Sequence, residues 1–402
     1  MAIKSRMPSA GSIEKAIEAL TDGLEIADGN GVEIEKTVDF EPDPSINELE
    51  DGSVEVSTDG SPLQPQLDQA NIPFNANLAD YISEEDLRKL SDSCVASYES
   101  DKESRKDWED TYIKGLDMLG FKYEDRTQPF EGASGVIHPL LAESVTQFQA
   151  QAYKELLPPA GPVNTEIVGE ITPDVEEQAK RVKDYMNYMI THVMKEYDPD
   201  MDQLLFYLPL SGSAFKKTYY DGTLMRPVSK FVSGEDCVIN YGASSLEDAN
   251  RITHVTKVDA NSLRKQQVSG FYRDIPIVSG SVSTTNEVKE KVDELEGVSK
   301  EIPEGDDYHT LLEMHVDIDV PGFEDPQGIK LPYIVTIDQY SSEVLSIRRN
   351  WSEQDPAKGR IDYFTHYKFL PGLGFYGFGL IHMLGGLSRT ATSVLRQLID
   401  AG

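Results

Sequence analysis

Seven histidines, two cysteines and 70 aspartates and glutamates are the side chains through which this 402-residue chain could hold a metal or move a proton. Their spacing favours neither. His138, His192, His254, His309, His315, His366 and His382 are scattered, and none forms H-x-x-x-H or stands beside a cysteine, so no zinc set is legible. His138, before Pro139, reads as a turn or packing histidine, and His382 as a residue on a helix face. Glu304-Gly-Asp-Asp307 has the chemistry for a divalent cation but lacks the ligand spacing of a calcium loop, and reads as a solvated loop. Cys94 and Cys237 allow one bridge at most, which excludes a disulfide framework.

Phosphate chemistry fares no better. Gly372-Leu-Gly374-Phe-Tyr-Gly377 fits G-x-G-x-x-G, whose glycines bring the backbone close to a pyrophosphate at a helix start. The segment follows Pro371 rather than a buried strand, and the 25 residues beyond Gly377 are too few to complete a dinucleotide-binding unit. It reads instead as a flexible hinge that admits a helix. No G-x-x-x-x-G-K-[ST] occurs, so there is no P-loop. Gly132-Ala-Ser134-Gly135 lacks the spacing of a nucleophile elbow, and Ser134 reads as a turn residue. Nucleophile, base and oxyanion donors nowhere come together. The expectation is a non-enzyme with no catalytic residue, cofactor or metal.

The elements that would carry any site come as runs of helices and runs of strands, which predicts an α+β chain rather than a doubly wound sheet. Residues 1–75 hold 16 Asp/Glu against four Lys/Arg, with prolines and glycines among them. Such a stretch buries too little apolar surface to offset its ordering entropy, so a flexible acidic arm is predicted, with one possible short helix at Ser12–Leu20. The arm is either a solubilising tail or a segment that docks on a partner. Ser83-Glu-Glu-Asp86 opens a helix, a second runs from about Lys102 to Leu119, and Pro139 begins a third. Val163–Val168 reads as a strand. Thr172-Pro173 opens a long helix to about Glu196 with Val182, Met186, Met189 and Val193 as its buried stripe, and Asp200 caps Met201–Leu208. Strands are predicted at Ala214–Tyr220, Pro227–Val232, Cys237–Asn240, Ile252–Val258 and Leu311–Ile318, with a hairpin of Tyr333–Ile337 and Val344–Arg348. Helices at Asp259–Val268 and Thr285–Leu295 lie between these two groups of strands. No apolar run reaches the length of a membrane span. The formal charge of −33 excludes a surface built to cling to nucleic acid, and it disfavours an anionic membrane.

The last helix, from Leu380, carries the most specific pattern. Leu384, Leu387, Ala391, Val394, Leu398 and Ala401 alternate spacings of three and four, a narrow seam suited to packing helix on helix. Arg389 and Arg396, seven apart, share another, polar face. Little follows the seam, so the helix would be stranded unless something covers it.

Taken in order, several segments resemble the portal protein, or head-to-tail connector, of tailed bacteriophages. They are Asp101-Lys-Glu-Ser-Arg-Lys-Asp-Trp-Glu-Asp110, Arg126-Thr-Gln-Pro-Phe-Glu-Gly-Ala-Ser-Gly135 with His138-Pro139, and Phe148-Gln-Ala150. Glu155-Leu-Leu-Pro-Pro-Ala-Gly-Pro-Val163, Gly212-Ser-Ala-Phe-Lys-Lys-Thr-Tyr-Tyr220 and Phe375-Tyr-Gly-Phe-Gly-Leu380 complete the set. The resemblance implies a homo-oligomeric ring, typically of twelve subunits, at one capsid vertex of the virion, assembled in the host cytoplasm. Double-stranded DNA would pass through it without specific binding. The terminase large subunit, head–tail adaptor proteins and capsid or scaffold protein would dock on it, and no membrane is involved.

It further implies a portal-like α+β fold: a helical and β wing at 76–258, a stem-entry region at 259–300, a small β clip at 301–352, a glycine-rich link at 353–379 and a stem helix at 380–402. Leu384, Leu387, Ala391, Val394 and Leu398 would be the packing seam of that stem, and Arg389 and Arg396 its polar or channel face. Portals are usually longer, with a crown after the stem, so the chain would be truncated or split. An acidic channel wall repels phosphate and lets DNA slide; twelve copies would carry about −400 formal charges. The alternative reading is another head–tail adaptor or a scaffold-like interaction protein.

Overall fold

The computed structural model describes residues 46–48, 54–56, 72–121, 126–222, 224–278, 287–297 and 308–401. The chain divides between Gln66 and Leu67 into two units. In the first, Ile46–Glu48 (β1) and Val54–Val56 (β2) pair antiparallel, with Ile46 opposite Val56. An arm predicted to lack regular structure therefore holds a short ribbon. The alternation Val54-Glu-Val56 is a strand signal within this charged stretch. The candidate helix Ser12–Leu20 lies outside the described residues.

The second unit begins before Asn77. Ile72 and Phe74 pack on its core, and Arg349 donates to the carbonyls of Pro73 and Phe74. A single 3₁₀ turn, Leu78–Tyr81, follows under an Asn77 cap. Ser83 then accepts from the Asp86 amide and caps Glu84–Ser104 (α1). Arg105 breaks this helix from Lys106–Asp117 (α2), which places the boundary later than the spacing suggested. Leu140–Leu156 (α3) follows Pro139 as expected.

Pro173–Tyr188 (α4) is capped by Thr172 and continues as a π-helical turn, Met189–Val193. Tyr197–Ser211 (α5) begins earlier than predicted. Asp200 is not its cap. It lies within the first turn, where its carboxylate accepts from the Phe231 amide at 2.7 Å.

Ser213–Asp221 (β3) and Arg226–Val232 (β4) form a hairpin, followed by Cys237–Ile239 (β5) and Arg251–Asp259 (β6). Asp259 caps Ala260–Val268 (α6). Glu287–Glu296 (α7) precedes Tyr308–Ile318 (β7), Leu331–Asp338 (β8) and Val344–Arg349 (β9). Phe364–Lys368 (β10) and Leu380–Ala401 (α8) close the chain.

The chain is an α+β protein with antiparallel sheets, as the run-wise order predicts. Strands β5 to β9 make one five-stranded sheet in chain order, and β10-β3-β4 make a three-stranded one. Two boundaries move. Strand β6, assigned to a wing, pairs along its whole length with β7, assigned to a clip, from Arg251 opposite Val316 to Asp259 opposite Tyr308. Backbone hydrogen bonding thus joins residues 76–258 and 301–352 in one sheet, a pairing across some fifty residues that no local pattern reports. Strand β10 was read as part of a link, and it completes the sheet of β3 by pairing across about 150 residues.

One face of the five-stranded sheet buries Leu312, Met314, Val335 and Ile347 against Leu87, Cys94 and Tyr98 of α1. A second core is all-helical: Tyr112 and Leu116 of α2, Leu141 and Val145 of α3, Leu210 of α5, Val288 of α7 and Ile381 of α8. A buried leucine or valine contributes about 1.5–3 kcal/mol here. Between the two sheets, Lys217 Nζ sits 2.5 and 2.6 Å from the Glu313 carboxylate, whose Oε1 is 2.8 Å from His315 Nε2.

Candidate functional site

The terminal helix α8 is the site that the sequence singled out, and its seat is built from distant segments. Its inner face is Ile381, Gly385 and Ser388. The side chain of Ile381 lies on Gly115 of α2 so closely that a Cβ there would stand 2.1 Å from Ile381 Cδ1. Gly385 faces Met118, at 3.5 Å from the position of a Cβ. Small residues thus let α8 approach, and the helix buries a stripe that a search for large apolar residues passes over.

The predicted seam stands elsewhere. Leu384 and Ala391 are half-buried, whereas Leu387 is 63 % exposed, Val394 50 % and Leu398 67 %, with Met383 beside them at 55 %. Leu387, Val394 and Leu398 are therefore not packed on another helix within this chain. These residues are left as an outward apolar stripe more than a third of a turn from the buried face.

The two arginines part company. Arg389 is exposed. Arg396 is half-buried, and its Nε donates to the Val136 carbonyl at 2.7 Å. On the same face, Asp400 Oδ1 accepts from the Ser134 amide at 2.7 Å and Thr392 Oγ1 from the His138 amide at 3.0 Å. Three side chains of α8 therefore satisfy the backbone of the loop 134–138, which has no strand or helix to do so. Arg396 is a loop clamp and not part of an open polar face. Sequence reasoning missed this seat because Ser134 and Asp400 are 266 residues apart.

The entry to α8 is also a seat. Gly212 has φ +88°, and a Cβ on it would stand 2.4 Å from the Gly377 carbonyl oxygen and 2.5 Å from the Gly379 nitrogen. Gly379 is as tight, at 2.3 Å from the Leu210 carbonyl oxygen. Ser213 Oγ accepts from the Gly377 amide at 2.8 Å and lies 3.1 Å from His366 Nε2. The Phe375 ring stacks on His366 with centroids 4.6 Å apart. The glycines of 371–379 were read as a flexible hinge. Two of them, Gly377 and Gly379, serve close backbone approach in a packed joint, which is the other reason for a chain to use glycine. The segment lies between an edge strand and α8, outside any βαβ unit.

A second uncovered helix lies in α4, which has no buried residue. Its expected buried stripe is exposed at Val182 and Met186, as are Tyr185 and Tyr188. What holds it is polar: the Asn187 amide exchanges hydrogen bonds with the Val163 backbone at 2.9 and 3.0 Å, and Thr165 Oγ1 donates to the Ala179 carbonyl. Residues 163–168 run beside a helix and have no strand partner, so the predicted strand Val163–Val168 does not form.

Among the described residues no three of His, Cys, Asp and Glu are grouped to hold a metal ion, and Cys94 and Cys237 are buried and free. Glu304–Asp307 lies outside the described residues. Burial and then the nearby Lys217 push the His254 imidazole down to about 4. Burial alone would raise the Glu313 carboxyl, but Lys217 and the two histidines outweigh it and hold it well below the usual range. The cluster is an ionic joint between the sheets. Among the described residues no helix is long and apolar enough to cross a membrane. No known family model matches the chain, and no curated protein does either.

Proposed function

We propose that this chain is a portal-like subunit: one member of a ring at a capsid vertex of a tailed phage, through which double-stranded DNA is packaged and ejected. It docks the terminase and head–tail adaptors and does no chemistry of its own. The observation that carries this reading is the outward stripe Met383, Leu387, Val394 and Leu398 on a helix whose opposite side is firmly seated. A stripe of this kind on a long helix suits a helix of a neighbouring copy.

Two further points support it. Three of the segments that resemble portals, though far apart in sequence, meet at α8: Ser134 to His138 on its flank, and Gly212 against Gly377 and Gly379 at its start. The charge of −33 suits a wall along which DNA slides. Negative-stain microscopy of the purified full chain tests the proposal. A ring with a central hole is the expected image; a closed small oligomer or a filament favours an adaptor or scaffold-like protein instead.

A further inference from the structure

Where α1 breaks into α2, a buried polar joint surrounds Arg105, which is 5 % exposed. Its guanidinium donates to the carbonyls of Gly234 at 2.8 Å, Glu235 at 2.5 Å and Cys237 at 2.9 Å, to the Tyr376 hydroxyl at 3.2 Å and to Glu109 at 2.8 Å. One side chain thus ties together the helix break, the turn between β4 and β5, and the segment that leads into α8. Its charge is engaged by Glu109, and its contact with Glu235 is to the main-chain oxygen.

The Glu235 carboxyl lies inside this joint. The residue is 7 % exposed, and its Oε2 has no hydrogen-bond partner among the described residues. Two polar atoms of α2, Tyr112 OH and Trp108 Nε1, are likewise buried without a partner among those residues. Trp108 lies against Gly234, where a Cβ would meet its ring at 3.0 Å, and it stacks on Tyr112 and Tyr376 with centroids 5.7 and 4.8 Å apart. An ionised carboxylate is poorly accommodated among apolar ring faces, whereas the neutral acid carries its own donor and sheds the desolvation cost.

We propose that the folded protein holds Glu235 as a neutral carboxylic acid, and that this acid is a proton-dependent latch: its ionisation loosens the joint that carries residues 371–379 into α8. The groups that face it are Arg105 at the helix break, Tyr112 of α2, Tyr207 of α5, Ser233 and Asp236 in its own turn and, through Arg105, Glu109 and Tyr376. Burial raises its proton affinity most, and Asp236 adds to that. Its own amide, Ser233 and Arg105 oppose them, and the balance lies at about 7. The folded state therefore binds this proton more tightly than the unfolded chain does. The stabilisation is complete below the ordinary glutamate range and is lost as pH rises through neutrality. The latch belongs to the folded subunit and needs no ring.

Thermal melting of the full chain from about pH 5.5 to about pH 8.5, beside Glu235→Gln, tests it. The glutamine keeps the shape and cannot ionise. The wild-type Tm is expected to fall by several degrees relative to the variant across neutrality, and amide exchange in 371–379, corrected for its intrinsic pH dependence, to speed several-fold in the wild type alone. Parallel Tm profiles in the two proteins overturn the proposal. Should Glu235→Gln not fold, the wild-type exchange decides. A rise in 371–379 and 233–237 above that of the β7–β8 pair upholds the latch, and uniform behaviour across all three overturns it.

Discussion

Single side chains hold this molecule together at points where elements meet. Asn77 is one: its Nδ2 donates to the Leu345 carbonyl at 3.1 Å, and its Oδ1 accepts from the Ala79 amide at 3.2 Å and the Ile347 amide at 2.9 Å. Asn77→Ala leaves edge-strand groups buried and unpaired, so a loss of roughly 2–4 kcal/mol is expected in urea unfolding. The Lys217–Glu313 joint makes a pH prediction. His254 and Glu313 both bind protons less readily when folded. Their stabilisation is present above the ordinary His and Glu values of 6.5 and 4.5 and is lost as pH falls: first as pH drops from 6.5 through about 4 for His254, then below 4.5 for Glu313. The contribution of this joint to the urea midpoint should therefore decline from about pH 7 to about pH 4, and Lys217→Met should lessen that decline relative to the wild type. A midpoint equally steep in the variant would show that the joint is not its source. Glu235 acts with the opposite sign, so the stability optimum reflects both.

At the scale of elements, α8 has an inner face and an outer face with different duties. Leu398 is exposed within the chain, so Leu398→Asp should change its own stability by no more than about 0.5 kcal/mol, and under the proposed ring assembly it should abolish oligomers in analytical ultracentrifugation. Ile381→Asp buries an unpaired charge against Gly115 and should cost several kcal/mol, so the subunit itself fails to fold. Arg396→Ala strands the Val136 carbonyl and should cost roughly 1–3 kcal/mol, whereas Arg389→Ala should be silent in the same melt. The glycine joint is as demanding. Gly379→Ala would set a methyl 2.3 Å from a backbone oxygen, and a loss of roughly 1–3 kcal/mol is expected. A hinge would tolerate that change, so unaltered melting of Gly379→Ala would restore the hinge reading.

For the whole molecule, the division between Gln66 and Leu67 predicts where the chain can be shortened. Removing residues 1–66 should leave the Tm of the remaining chain unchanged. Removing 1–75 deletes Phe74, which meets the Trp351 ring edge-on at 5.9 Å, and should lower it. Equal melting of the two shortened chains would place the edge of the core beyond Phe74. The uncovered faces of α4 and α8 set the second property at this scale. A subunit that carries both should self-associate as concentration rises, and the charge of −33 makes that association stronger when salt screens it. Light scattering at low and high salt reads this directly.

Much of the local structure was legible from residue order. Ser83, Thr172-Pro173 and Asp259 announce helix starts because a cap acts on amides two or three residues away. The hairpin of β8 and β9 and the strand at 311–318 show in alternation, since a pleat has period two. The run-wise order of elements gives the α+β class, and composition alone supplies the acidic charge. Other features are decided by partners hundreds of residues away. The outward face of α8 follows from Ile381 seating on Gly115 of α2 and Gly385 on Met118, not from where its leucines lie. Arg396 became a clamp because the 134–138 backbone needed donors, and Gly377 and Gly379 were spent on contact with Gly212. The stripe on α4 was readable as apolar but not as uncovered. Period reports which residues share a face, and only the packed chain determines which faces find a neighbour.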